Sequence, residues 1–130
     1  MFSKITTRLF SPRALLTALL GLTALLGLAA APAQAQQGTW PVHVWADQVR
    51  VRTCDGTSCG LATTEQLTDV TVQAICQRWG GYVSDGPYYN HYWVEVITPH
   101  GTVGWVSAVY VSGGNNDEPV PALPEDSDCR

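Results

Sequence analysis

Apolar and polar residues alternate with a period of two, in short runs broken by turn formers, and this constrains the chain more than any other feature. Gln48-Val-Arg-Val-Arg-Thr53 places Val49 and Val51 on one side and Arg50 and Arg52 on the other. Asp69-Val-Thr-Val-Gln-Ala-Ile-Cys-Gln77 repeats the pattern, with Val70, Val72, Ala74 and Cys76 sharing a face. Successive side chains of a strand point to opposite faces, so these runs suit half-buried strands and no helix. Further strands are expected over 40–45, with Val42 and Val44 together, and over 61–64, 92–97 and 102–106. Thr98-Pro-His-Gly101 reads as a turn, and residues 107–110 as one 3₁₀ turn before Val111 returns to the sheet. Residues 78–91 hold Gly80-Gly81 and Asp85-Gly-Pro87 and read as a long hairpin loop or a distorted hairpin. Several short strands at this spacing predict an all-β chain, a small barrel or sandwich.

The first 35 residues have a different character. A basic head containing Lys4, Arg8 and Arg13 precedes an apolar run from Ala14 to Ala31, and Ala33-Gln-Ala35 comes after Pro32. Basic head, apolar middle and small-x-small site together make a secretory signal peptide, expected to be cut after Ala35. Residues 36–130 then keep four arginines against eleven Asp and Glu, and four minus eleven gives −7. Such a chain repels phosphate polymers and anionic headgroups, which disfavours nucleic acid and stable membrane association after cleavage.

All four cysteines, Cys54, Cys59, Cys76 and Cys129, lie in the exported part, where an even count in a short chain reads as disulfides. Asp55-Gly56 sits between Cys54 and Cys59, and a tight turn there brings two Cα atoms within the roughly 7 Å a disulfide needs. Cys76 and Cys129 remain as the second pair. No C-x-x-C pair or histidine cluster supports a zinc site, so no metal and no cofactor are expected. Ser112 to Arg130 is dense in proline, glycine and acid and predicts an irregular tail, loose unless Cys129 ties it down.

Catalytic patterns are lacking. His43, His91 and His100 are far apart and belong to no metalloprotease motif, and Ser107 and Ser112 lack a nucleophile-elbow setting. Glu95 alternates outward on its strand, and the remaining acids read as a solvated surface. The aromatic residues are more informative. Trp79, Tyr82, Tyr88, Tyr89, Tyr92 and Trp93 crowd around 78–93. Trp93 and Trp105 suit a core, with Tyr82 and Tyr88 pinning the loop. Trp79, Tyr89 and Tyr92, with Arg52 nearby, are left as a ligand-facing surface, since Trp and Tyr offer an apolar body with a polar tip. Arg50 and Arg52 suit bidentate capture of a ligand carboxylate, although a surface acid such as Asp69 or Glu95 is expected to hold at least one of them.

The order of these motifs resembles the bacterial SH3-like (SH3b) domain. Val49-Arg-Val-Arg-Thr53 is similar to the Asn-Val-Arg-Ser strand of that family, with Arg50 in place of asparagine. Trp93-Val-Glu-Val96 and Gly101-Thr-Val-Gly-Trp-Val106 are similar to its later strands, and Ser107 and Tyr110 to the serine and tyrosine that come next. The likeness spans about residues 42–112 and is greatest to small secreted actinobacterial SH3-domain proteins, down to the closing Asn-Asp-Glu-Pro-Val-Pro. It implies a small SH3-like barrel over 36–112, between the signal peptide 1–35 and the tail 113–130. It also implies a monomeric, non-catalytic, secreted or wall-associated binding module. The partner implied is cell-wall peptidoglycan peptide or an extracellular protein, the latter bound or inhibited. A structural domain without a fixed ligand is the third reading.

Overall fold

A computed structural model describes residues 38–125 and 129–130. The expected leader, residues 1–35, lies outside the described residues, as do Asp126 and Asp128. The strands are β1 (Trp40–Val44), β2 (Val49–Arg52), β3 (Leu61–Leu67), β4 (Val70–Asp85), β5 (Tyr88–Ile97) and β6 (Val103–Ser107), with a 3₁₀ turn, Ala108–Tyr110, after them. All ladders are antiparallel and form one six-stranded sheet in the order β1-β4-β5-β6-β2-β3. The chain is thus all-β, and no helix among its described residues is long and apolar enough to cross a membrane.

The sheet curls but does not close, so the barrel is open. Closure would need β1 to pair with β3, and the free edge of β1 is already used. After the 3₁₀ turn the chain returns along it. Trp45 N–H donates to the Tyr110 carbonyl, Ser112 N–H to the His43 carbonyl, and Val111 bridges Val44.

The main core lies on the concave side. Val42, Val44, Val49, Val51, Leu67 and Val72 are buried there with Val94, Val96 and Val106, as alternation on each strand requires. A second, smaller cluster holds Ile75, Cys76, Trp93 and Trp105. Cys76 therefore parts from Val72 and Ala74, with which alternation groups it. The β4–β5 register shifts between Ala74 and Cys76, and one extra residue in a strand moves the residues after it to the opposite face.

Residues 78–91 form the distorted hairpin. β4 runs unbroken to Asp85, Gly86-Pro87 make the turn, and the register slips again between Trp79 and Val83. The slip makes room for the Cys54–Cys59 loop. A Cβ on Gly80 would collide with the Asp55 carbonyl and come within 3.0 Å of Trp93, so this position admits only glycine. Gly81 N–H donates to the same Asp55 carbonyl, and its own carbonyl accepts the Trp93 indole N–H at 2.8 Å.

Both expected disulfides are present, with Cα atoms 5.7 Å apart for Cys54–Cys59 and 5.3 Å for Cys76–Cys129. The segment after Ser112 is irregular in backbone and firmly packed. Val120 and Leu123 belong to the main core. The buried Gln77 amide donates to the Val120 and Leu123 carbonyls at 2.9 and 2.8 Å and accepts Val120 N–H at 2.7 Å.

Glu95 is 3% exposed, contrary to its expected outward position. Its strand neighbours are buried on both faces, and Cys129 and Arg130 lie against it. There Glu95 accepts the Arg130 backbone N–H at 2.9 Å, next to the Cys76–Cys129 bond. Cys76, Glu95 and Cys129 place potential ligand atoms within 4.8 Å of one another, but the two sulfurs are joined to each other.

Candidate functional site

A cleft of about 700 Å³ opens where the β1–β2 connection, β2, the end of the β4–β5 hairpin and the 3₁₀ turn meet. Trp45, Arg50, Arg52, Asp85, Trp93 and Tyr110 are among its walls, and Asp47 also lines it. Trp45, Arg52, Trp93 and the Tyr110–Asp85 pair are each held by a hydrogen bond. The Trp45 indole N–H donates to the Val109 carbonyl at 3.1 Å, and its ring meets those of Tyr88 and Tyr110 at 5.6 and 6.3 Å. Trp45 is still 43% exposed, so a broad aromatic face remains available. Arg52 donates through one terminal nitrogen to the Cys59 carbonyl at 2.8 Å, which ties the first disulfide loop to the cleft.

Neither arginine is taken up by the acids expected to hold them. Asp69 pairs with His43 at 3.0 Å, and Glu95 is buried on the far side with the Arg130 amide. Arg50 is exposed, and the rest of the Arg52 fork has no protein partner among the described residues. The cleft thus offers two guanidinium groups, two carboxylates and aromatic walls. That set fits a ligand carrying an apolar body and both signs of charge.

The Tyr110 hydroxyl donates to Asp85 Oδ2 at 3.1 Å. Burial, and secondarily the Asp85 carboxylate, push the Tyr110 phenol above its ordinary value of 10.0. A group held neutral in this way contributes stability below pH 10, and the contribution is lost as pH rises through the higher folded value. Tyr110→Phe is accordingly expected to flatten the fall in urea midpoint above pH 10, and an unchanged slope would assign that fall to other groups.

Of the residues singled out as a ligand surface, Trp79, Tyr89 and Tyr92 fall in one series of ring contacts on the hairpin. Arg52 does not join them and lines the cleft instead. Trp79 stacks on His91, with centroids 4.3 Å apart and planes at 8°, and meets the Tyr92 edge at 5.3 Å. Tyr82 links His91 at 5.1 Å to Tyr89 at 6.2 Å. Tyr82 and Tyr88, expected to pin a loop, are about half exposed, whereas Trp93 and Trp105 are buried as expected. Sequence reasoning missed Trp45 and Tyr110 as cleft walls. The available signal was their position at the two ends that the β1 edge brings together. The three histidines do not converge. Each has its own carboxylate: Asp69 for His43, Asp117 for His91 at 2.7 Å, and Glu65 for His100 at 2.8 Å. No protein-family model, curated protein or solved structure matches the chain.

Proposed function

We propose that the protein is an exported, non-catalytic binding module of SH3-like type that takes peptide in the Trp45–Tyr110 cleft. A peptide bearing a free carboxylate, as cell-wall peptidoglycan presents, is the ligand class that fits. The observation that carries this reading is the placement of Arg50 and Arg52, two of the four arginines in residues 36–130, in one aromatic cleft of a strongly acidic chain. A guanidinium binds a carboxylate through two parallel hydrogen bonds, and the Trp45 and Tyr110 rings supply apolar contact beside it. The curled all-β sheet and the motif order of residues 42–112 support the SH3-like assignment. Two disulfides are compatible with an extracellular setting.

Retention on purified peptidoglycan tests the reading. The protein is expected to bind intact wall and to lose binding when the peptides are enzymatically removed. A hydrogen bond to a charged group contributes about 1.5–3 kcal/mol, so Arg50→Gln with Arg52→Gln should weaken retention at least tenfold. Equal retention on peptide-stripped wall would sink the peptide assignment.

A further inference from the structure

We infer that the exposed ring series on the β4–β5 hairpin is a docking surface for a basic protein segment, one carrying arginine or lysine. The inference is independent of the cleft and its ligand. Trp79, Tyr82 and Tyr89 are 52%, 55% and 42% exposed, and none of the three belongs to either hydrophobic cluster. The fold therefore does not need their apolar surface, and a contiguous aromatic patch left in water marks an interaction site.

The rings are held in place before any partner arrives. The segment after Ser112 clamps the hairpin from one side. Asp117 N–H donates to the Tyr89 carbonyl at 3.0 Å, and Tyr89 N–H to Asn116 Oδ1 at 3.0 Å. Asn116 donates in turn to the Pro87 carbonyl, and Asp117 Oδ1 accepts the His91 backbone N–H at 3.0 Å while meeting the ring at 2.7 Å. Asp117 holds this position at φ 59°, a left-handed conformation that these contacts keep in place. The His91 ring held in this way backs Trp79, stacked on it at 4.3 Å, and a side chain so supported loses little entropy on binding.

Charge selects the occupant. The clamp that borders the rings carries Asp117, whose carboxylate meets the His91 ring at 2.7 Å, and Glu118, whose carboxylate accepts from the Asn115 amide at 3.0 Å, so a basic segment would add to charges that are only locally engaged. Among the described residues no arginine meets the exposed Trp79, Tyr82 or Tyr89 ring. Arg50 and Arg52 line the cleft, and the Arg78 guanidinium lies 4.8 Å over the Trp105 ring. The negative faces of Trp and Tyr rings attract guanidinium and ammonium groups. The −7 charge of residues 36–130 steers such a partner in and repels an acidic one. A neutral glycan would use the ring faces but gain nothing from the acidic border.

Titration of the full secreted protein by tryptophan fluorescence tests the proposal with three probes: a hexa-arginine peptide, a hexa-glutamate peptide and chitohexaose. Hexa-arginine is expected to bind with an affinity that falls as salt rises, and the other two to leave the signal unchanged. Trp79→Ala and, separately, Tyr82→Ala should each weaken hexa-arginine binding at least tenfold, as loss of an interface anchor commonly does. Both variants should keep the parent melting temperature. Arg50→Gln should leave hexa-arginine binding intact, which separates this surface from the cleft. Chitohexaose binding that Trp79→Ala abolishes would overturn the proposal in favour of a glycan surface. Hexa-arginine binding that survives both aromatic substitutions would overturn it as mere attraction to net charge, and so would no binding of hexa-arginine.

Discussion

Gln77→Ala is expected to lower the melting temperature by on the order of 10–20 °C, a large effect for one uncharged side chain. The Gln77 amide is 1% exposed and makes three hydrogen bonds to the Val120–Leu123 backbone. Truncation strands the buried Val120 N–H and Leu123 carbonyl and leaves the Val120 carbonyl only the Leu123 N–H at 3.4 Å, each lost partner costing about 1–3 kcal/mol. The total is about 3 kcal/mol or more, and each kcal/mol moves the melting point of a domain this size by roughly 4–8 °C. Gln77→Met keeps most of the volume and removes the polarity, so it should be nearly as damaging. If Gln77→Met melts like the parent, the strap is held by packing of Val120 and Leu123 and not by the amide.

The second large effect concerns the disulfides, which should differ in their contributions. In the chain-entropy account a crosslink over a separation of 53 residues contributes about 4 kcal/mol, and one over 5 residues about 2. Cys76→Ala with Cys129→Ala is therefore expected to lose about twice the unfolding free energy lost by Cys54→Ala with Cys59→Ala. The first pair also anchors the segment that covers Glu95, so its removal should raise hydrogen exchange at residues 120–125 and leave β2–β3 protected. Equal losses in urea titrations of the two double variants would show that loop length does not govern the difference.

These expectations show which parts of the chain its sequence reveals. Val49-Arg-Val-Arg52 and the start of β4 are legible because alternation is a local property of a strand. The 3₁₀ turn at Ala108–Tyr110 and the Cys54–Cys59 pairing are legible for the same reason: each is decided within a few residues. The bulge at Cys76 is not legible, since an extra residue in β4 has meaning only against β5. Glu95 looks outward in sequence because alternation assumes one wet face, and the covering segment comes from residues more than thirty positions away. The open barrel results from competition for the β1 edge, which no single segment encodes. The cleft draws its walls from several separate stretches, so Arg50 and Arg52 were visible as a pair but their aromatic neighbours were not.

The placement of Val120 and Leu123 in the core sets the order in which this chain can mature. Strands β1 to β6 are complete by Ser107, yet two core side chains and the partner of Cys76 arrive only with residues 120–129. A nascent chain emerging from its N-terminus holds an unfilled apolar surface and a free Cys76 thiol until that late segment appears. Productive folding is thus deferred until nearly all of residues 38–130 have emerged, and Cys76 stays available for mispairing with Cys54 or Cys59 throughout that interval.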